Sequence, residues 1–252
     1  MRIAALYRYP VKGLSPEPLQ RVTLGAGEFF PGDRLYAIEN GPSGHDPAAP
    51  AHLPKTKFLM LARNARLAAL TTRYDDATTA LTIEQDGRTL ASGALATQAG
   101  RAAIERFVEA VCADEMRGTA RVLSAAEGFR FTDSRSGFVS LINLATVRAI
   151  AHSAGRSLDP LRFRANLYVG GLQPWEEFSF LGKKLRTGSL VLEPIKAIDR
   201  CAAIDVVPGL GVRDTSLVAT MERSFGHHDC GVYARVAAGG EIGVGDEMGT
   251  KS

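Results

Sequence analysis

The sequence predicts an α+β chain that is mainly β, with a β-rich first half, a barrel-like second half and a few helices. Three observations carry that expectation. Short alternating segments are punctuated throughout by Gly and Pro. Asp86-Gly87 separates two of them, and both residues tolerate the positive φ of a tight primed hairpin turn. Helical spacing of apolar residues is confined to three stretches.

In chain order, residues 2–9, 20–24, 34–39, 66–73, 80–84 and 88–91 read as strands of one curled antiparallel sheet. Residues 41–54, rich in Pro, Gly and Ala, read as a mobile surface loop. Residues 98–111 place Ile104, Phe107, Val108 and Val111 on one helical face, and Cys112 closes it as a packing residue. Residues 121–123 resume as a strand, and 127–136 read as a polar loop. A second helix is expected from Asn143 or Leu144 to about Ala154, with Val147, Ile150 and Ala151 inward and Gly155 ending it. Strands follow at 166–169, 178–180, 184–185, 189–194 and 232–236. A turn at Gly239-Gly240 leads to 242–244, and helical spacing returns at 216–224.

Composition bounds the function. A chain of 252 residues with 45% hydrophobic content can bury a substantial core. Its net charge of +3, from 30 basic and 27 acidic side chains, sets up no general field for nucleic acid or membrane, so basic character that matters must be local. Cys112, Cys201 and Cys230 are too scattered for a disulfide framework, and no CxxC pair is present. The first ten residues are broken by Arg8 and lack the roughly 7–15 apolar residues of a secretion signal. No apolar run approaches the length of a membrane span, so a reduced, cytoplasmic setting is expected.

Several side chains could carry chemistry. Lys12 follows Tyr9-Pro10-Val11 at a strand end, and Arg34 follows the turn Pro31-Gly32-Asp33. Arg162 and Arg164 flank Phe163 before a strand. On an extended chain they share a face, where two guanidiniums repel unless an anion or carboxylates lie between them. Arg matches phosphate bidentately, so a phosphate-bearing ligand accounts for the pair; a salt-bridged edge is the alternative. Asn166 falls on the same face as Arg164 and could address a ring. Trp175, beside Glu176 and Glu177, suits a core or rim position better than a stacking platform.

Cys201, between Arg200 and Ala202, is either a small buried hydrophobe or a thiolate ligand for a metal already held by a sulfur-rich cofactor. In His227-His228-Asp229-Cys230, alternation lets His228 and Cys230 share a ligand sphere but excludes His227, and no second pair at zinc spacing supports it. A Cys nucleophile paired with His remains open.

Taken together, these residues make the chain resemble the MOSC family, and more narrowly the amidoxime-reducing proteins that join a MOSC domain to an N-terminal β-barrel extension. The likeness runs from Tyr9-Pro10-Val11-Lys12-Gly13 and Gly32-Asp33-Arg34 through residues 138–146 and Arg162-Phe163-Arg164-Ala165-Asn166. It continues through Trp175-Glu176-Glu177 and Arg200-Cys201 to Val244-Gly245-Asp246. It implies a β-barrel-like region at 1–118 and a MOSC domain at 119–252. It implies a molybdenum cofactor, a molybdopterin whose metal takes Cys201 as a protein ligand, with Cys201 also the catalytic residue. Lys12, Arg34, Arg162, Arg164 and Asn166 are implied to hold its phosphate and pterin, and Asn143 and Thr146 to line the pterin pocket. Molybdenum ion binding and pyridoxal phosphate binding come with the family.

Two departures stand out. Gly13 replaces a frequent Ser after the lysine. Ile204-Asp205-Val206-Val207-Pro208 replaces a Thr-x-Asp-Pro pattern, which bears on the substrate side of the pocket. No ferredoxin-like segment follows, and three cysteines cannot supply four thiolates to an iron–sulfur cluster. A separate electron-donor protein of ferredoxin or cytochrome type is therefore expected. The activity implied is reduction of small N-hydroxylated or N-oxide substrates, with Asp199 or Asp205 as a proton source. A non-catalytic molybdopterin or sulfur carrier is the alternative, and a barrel binding flavin or another phosphate ligand is a third reading.

Overall fold

Alternating burial along Arg2–Arg8 forms the first strand of the computed structural model, which describes residues 1–135 and 138–250. In chain order the first half contains β1 (Arg2–Arg8), β2 (Glu17–Leu19), β3 (Arg21–Leu24), β4 (Tyr36–Asn40), β5 (Thr71–Tyr74), β6 (Ala80–Gln85), β7 (Arg88–Ala94), α1 (Gln98–Val111) and β8 (Ala120–Ser124). The second contains β9 (Val139–Asn143), α2 (Leu144–Ser153), β10 (Leu167–Gly170), β11 (Leu185–Thr187), β12 (Leu190–Asp199), α3 (Leu217–Phe225), β13 (Asp229–Ala238) and β14 (Gly240–Gly243). The fold is α+β and mainly β, as expected.

A curled seven-stranded sheet runs β11-β12-β13-β9-β10-β1-β2, so the first two strands of the chain complete a sheet otherwise built from its second half. Leu6 faces Leu167 across β1 and β10, and Leu141 lies between Leu167 and Val232. β3 pairs with β14, tying residues 21–24 to 240–243. Among the described residues the other strands pair as β4 with β8 and as the meander β5-β6-β7, so the first-half strands fall in four sheets and not in the one curled sheet expected.

The meander turns at Asp86 and Gly87, with φ of 51° and 75°, the left-handed pair that a primed turn requires. α1 lies on it through Ile104 and Val108, and Cys112 is buried at its end, its thiol pushed up to about 11 chiefly by desolvation. Gly93 and Gly100 set that crossing: a methyl group on Gly100 would sit 2.2 Å from the Ala94 carbonyl oxygen. Asn143 caps α2 by accepting from Ala145 N at 2.9 Å, and Gly155 follows its end at φ 65°.

Two strand expectations are corrected. Residues 66–69 belong to a 3-10 turn, Ala65–Ala69, and only Thr71–Tyr74 is extended. The run Ala-Arg-Leu-Ala-Ala favours helical backbone, and Asn64 starts the turn by closing on Met60 through both its backbone N–H and its side chain. Residues 178–180 lie in a second 3-10 turn, Glu176–Phe180, because burial of the Glu177 carboxylate winds the chain inward.

The loop 41–54 carries no regular structure. It is pinned at Ser43, which donates to Glu39, and at His45, whose ring packs against Phe129 and Phe131. The polar stretch 127–135 is irregular; Ser136, which was included in it, lies outside the described residues. No helix among the described residues is long and apolar enough to cross a membrane.

Candidate functional site

Four chain segments end at one cleft of about 270 Å³: the turn after β1, the turn at Asp33, the bend before β10 and the end of β12. Seven cationic side chains line it (Lys12, Arg34, Lys55, Arg162, Arg164, Lys196 and Arg200) against the carboxylates of Asp33, Asp133 and Asp199. The local basic excess that the net charge does not reveal is concentrated here.

Tyr9, fully buried, lies beneath two of these cations. Its backbone N–H donates to Asp33 Oδ1 at 2.8 Å, and its carbonyl accepts from Arg34 N at 2.7 Å, which locks β1 to the Pro31-Gly32-Asp33-Arg34 turn. Arg34 binds both Asp33 oxygens through Nη1 at 2.6 Å and donates from Nη2 to the Arg164 carbonyl at 3.1 Å. Both guanidiniums lie over the Tyr9 ring, at 4.3 Å for Arg34 and 4.4 Å for Arg164. Both residues also hold left-handed backbone, at φ 47° and 51°, a strained state for a non-glycine residue.

Their electrostatics differ. Burial would lower the Arg34 pKa, but Asp33 and then Tyr9 offset it and leave it raised. Arg164 is lowered, first by burial and further by Arg34, with only tyrosines and the more distant Asp33 acting the other way. Among the described residues no carboxylate lies within ion-pair distance of Arg164 and no acceptor takes a bond from its guanidinium.

The expectation that Arg162 and Arg164 share one face of an extended chain is corrected. Residues 160–163 form a 3-10 turn started by Pro160 and capped by Asp159, which accepts from Leu161 N at 2.8 Å. The turn replaces the alternation, and the charge of Arg162 is balanced by Asp214. Arg162 is buried, donating to Asp214 Oδ2 at 2.8 Å and to the Asp205 carbonyl at 3.1 Å, while its Nε has no partner among the described residues.

Lys12 is buried and donates to the Phe131 carbonyl at 3.0 Å and to Asp133. Burial alone would raise the Asp133 carboxyl; Lys12 above all, then Lys55 and Arg34, overcome it and hold the group down at about 2. Gly13 follows with φ 83°, and a Cβ there would lie 2.9 Å from the Leu59 carbonyl oxygen. A serine cannot enter this turn without moving backbone, which accounts for the glycine.

Cys201 is partly exposed and lines the cleft where β12 passes into the 3-10 turn Ala202–Asp205. Its neighbour Arg200 points away, donating to the Cys230 carbonyl at 2.8 Å and the Phe163 carbonyl at 2.7 Å, so the guanidinium expected beside the sulfur is committed to backbone. Lys55 takes that place. Desolvation pulls its pKa down, but Cys201, then Asp133 and Asp199, raise it overall. Asp199 lines the cleft and pairs with His228 Nε2 at 2.5 Å. Asp205 instead turns away from the cleft and accepts from Leu217 N at 2.7 Å, holding the start of α3.

Asn166 lines the cleft, but its carboxamide is engaged, accepting from Ser140 Oγ at 2.8 Å and donating to the Tyr7 carbonyl at 3.2 Å. Asn143 and Thr146, which the family resemblance placed at a pterin pocket, do not reach the cleft. Both donate to Glu177, at 2.9 Å each, because that buried carboxylate needs donors on every side. Trp175 packs on Phe225 at 4.5 Å, at the rim of the α2–α3 core.

His228 and Cys230 do not share a ligand sphere: His228 contacts Asp199 and Glu222, while the buried Cys230 thiol is pushed up to about 12 by desolvation. No group of three His, Cys, Asp or Glu converges among the described residues. A metal at this cleft would have to bring most of its own ligands, and one accessible cysteine sulfur among many cations suits an anionic, sulfur-ligated complex.

Lys55 and Asp133 were not legible as site residues. Lys55 follows the segment 41–54 that reads only as loop, and Asp133 sits in a generic polar stretch.

Comparison with known proteins agrees with this architecture. Residues 129–249 match the family model described as the MOSC domain, and residues 1–121 match the MOSC N-terminal beta barrel domain. No curated protein matches the chain. Among solved structures, the YUAD protein from Bacillus subtilis aligns over 98% of this chain and 93% of its own, at 14% identity and a TM-score of 0.47. YiiM from Geobacillus stearothermophilus aligns over 47% of this chain and 56% of its own, at 16% identity and a TM-score of 0.36.

Proposed function

The chain belongs to the MOSC family, whose members are associated with molybdenum-cofactor binding, and from that premise we propose that it is a molybdenum-cofactor-dependent reductase of N-hydroxylated or N-oxide compounds. The observation that carries this is Arg164: a cation with no counter-ion among the described residues, beside Arg34, in a cleft lined also by the Cys201 thiol. Two guanidiniums over one ring ask for an anion between them, and the phosphate and dithiolene of a molybdopterin supply negative charge at both ends of such a cleft.

The residues present fit that group. Arg164, Arg34 and Lys12 would hold the phosphate end, and Cys201 would ligate the metal. When bound, the cofactor supplies the two-electron chemistry that removes oxygen from nitrogen. The chain's own contribution is positional: Tyr9 and Asp33 orient Arg34, Lys55 places positive charge beside the sulfur, and Asp199 with His228 forms a proton-holding pair at the rim. Electrons would come from a separate donor protein.

The test is purification from a cofactor-producing host with molybdenum measured per chain, followed by reduction of benzamidoxime with an artificial donor. One metal per chain, lost in Cys201→Ala, and turnover support the proposal. Metal without turnover selects the carrier function, and no metal under any loading condition excludes both.

A further inference from the structure

Behind the cationic cleft lies a second chamber, of about 200 Å³, that shares Arg162 and Arg164 with it. Both halves of the chain build it. Leu14 and Leu70 come from the first half, and Leu161 and Val206 from the second. Pro208, which ends the segment that departs from the resembled pattern, and Gly209, which follows it, also line the chamber. Gly209 is anchored to the first half by donating from its N–H to the Ala68 carbonyl at 2.7 Å.

The chamber is mostly apolar. Two hydroxyl residues line it, Ser15 and the exposed Thr71, and Ser15 is committed to Thr72, at 2.9 Å between the side chains and 2.7 Å from Thr72 N. One cation remains: the Arg164 guanidinium lines the chamber and makes no hydrogen bond among the described residues. An apolar cavity of roughly 150 Å³ accepts benzene, so this one accommodates a single ring with a small substituent. The half-buried Arg164 guanidinium at its mouth selects an anionic substituent, because its planar donors match a carboxylate in charge-assisted hydrogen bonds.

We propose that this chamber is a second binding site, distinct from the cofactor cleft, for a monocyclic aromatic carboxylate. The ring lies among Leu14, Leu70, Leu161 and Val206, and the carboxylate meets Arg164 from the chamber side. A guanidinium has five donors, so the same side chain can face an anion in the cleft as well. The site does not depend on what metal the cleft takes.

Titration calorimetry of the full chain with benzoate tests it, with toluene and inorganic phosphate as comparison probes. Saturable benzoate binding is expected, about tenfold or more tighter than toluene, and abolished in Ala68→Phe, which fills the chamber, while phosphate binding in the cleft is kept. Should Ala68→Phe unfold, Leu161→Trp, at a partly exposed position, is the second filler. Absence of benzoate binding overturns the proposal. So does benzoate binding that survives a folded filler, which places the carboxylate in the cleft, and so does toluene binding as tightly as benzoate, which makes the chamber merely apolar.

Discussion

Arg34 donates to the backbone carbonyl of Arg164 at 3.1 Å while both guanidiniums sit over the Tyr9 ring. One of the two is neutralised by Asp33 and the other is not. The contact fixes two strained backbone bends against each other, so the cleft is organised before any ligand arrives, which reduces the ordering cost of binding.

Arg164→Gln should therefore separate binding from folding. Loss of the unpaired cation is expected to weaken inorganic phosphate binding by about tenfold, or about 1.4 kcal/mol. Unfolding free energy in anion-free buffer should change by less than about 1 kcal/mol, since lost stacking on Tyr9 is offset by relief of burial and of repulsion from Arg34. Calorimetry and urea unfolding measure the two. A large stability loss with unchanged phosphate affinity would give Arg164 a purely structural role.

Asn143 and Thr146 should behave oppositely. Each donates to the buried Glu177, and Asn143 also caps α2. Alanine at either position is expected to cost about 1–3 kcal/mol in urea unfolding, from a lost cap and an under-satisfied carboxylate. Phosphate affinity should stay within about twofold, because neither side chain lines the cleft. A selective loss of affinity would return both to the binding site.

Gly13→Ser restores the side chain frequent in the family, yet here it should harm. The position has φ 83°, and a Cβ meets the Leu59 carbonyl oxygen at 2.9 Å. A loss of about 1–3 kcal/mol is expected from strain and displacement of backbone. A stability equal to wild type would show that the turn can adopt another conformation.

The sequence showed most of the fold because its signals were local. Period-two segments, the Asp86-Gly87 turn and the face from Ile104 to Val111 each needed only near neighbours. What it hid depended on partners far along the chain. The segment at 178–180 looks extended until Glu177 is seen reaching for Thr146 and Asn143. Cys201, Lys12, Arg34 and Arg164 were visible as residue types suited to an anionic metal complex, and they converge. That Arg162 already has Asp214, and that Lys55 rather than Arg200 faces the sulfur, follows from tertiary contacts that no spacing encodes.

Asp133 is the residue through which pH should act on the cleft. Its carboxylate pairs with Lys12, the side chain implied to hold a ligand phosphate, so in the free protein it occupies the place of an anion. Its folded pKa, about 2, lies below the ordinary value of 3.8. A group depressed on folding contributes stability that is present above its unfolded pKa and is lost as pH falls through the folded one. The advantage of wild type over Asp133→Asn in urea unfolding should be full above about pH 4 and vanish as pH falls toward about 2. It should also be small, because the side chain is 46% exposed and solvent screens the pair. The same variant should bind inorganic phosphate more tightly at neutral pH, since the incoming anion no longer competes with a resident carboxylate for Lys12. Weaker phosphate binding in Asp133→Asn would instead mean that the carboxylate positions Lys12 for its ligand.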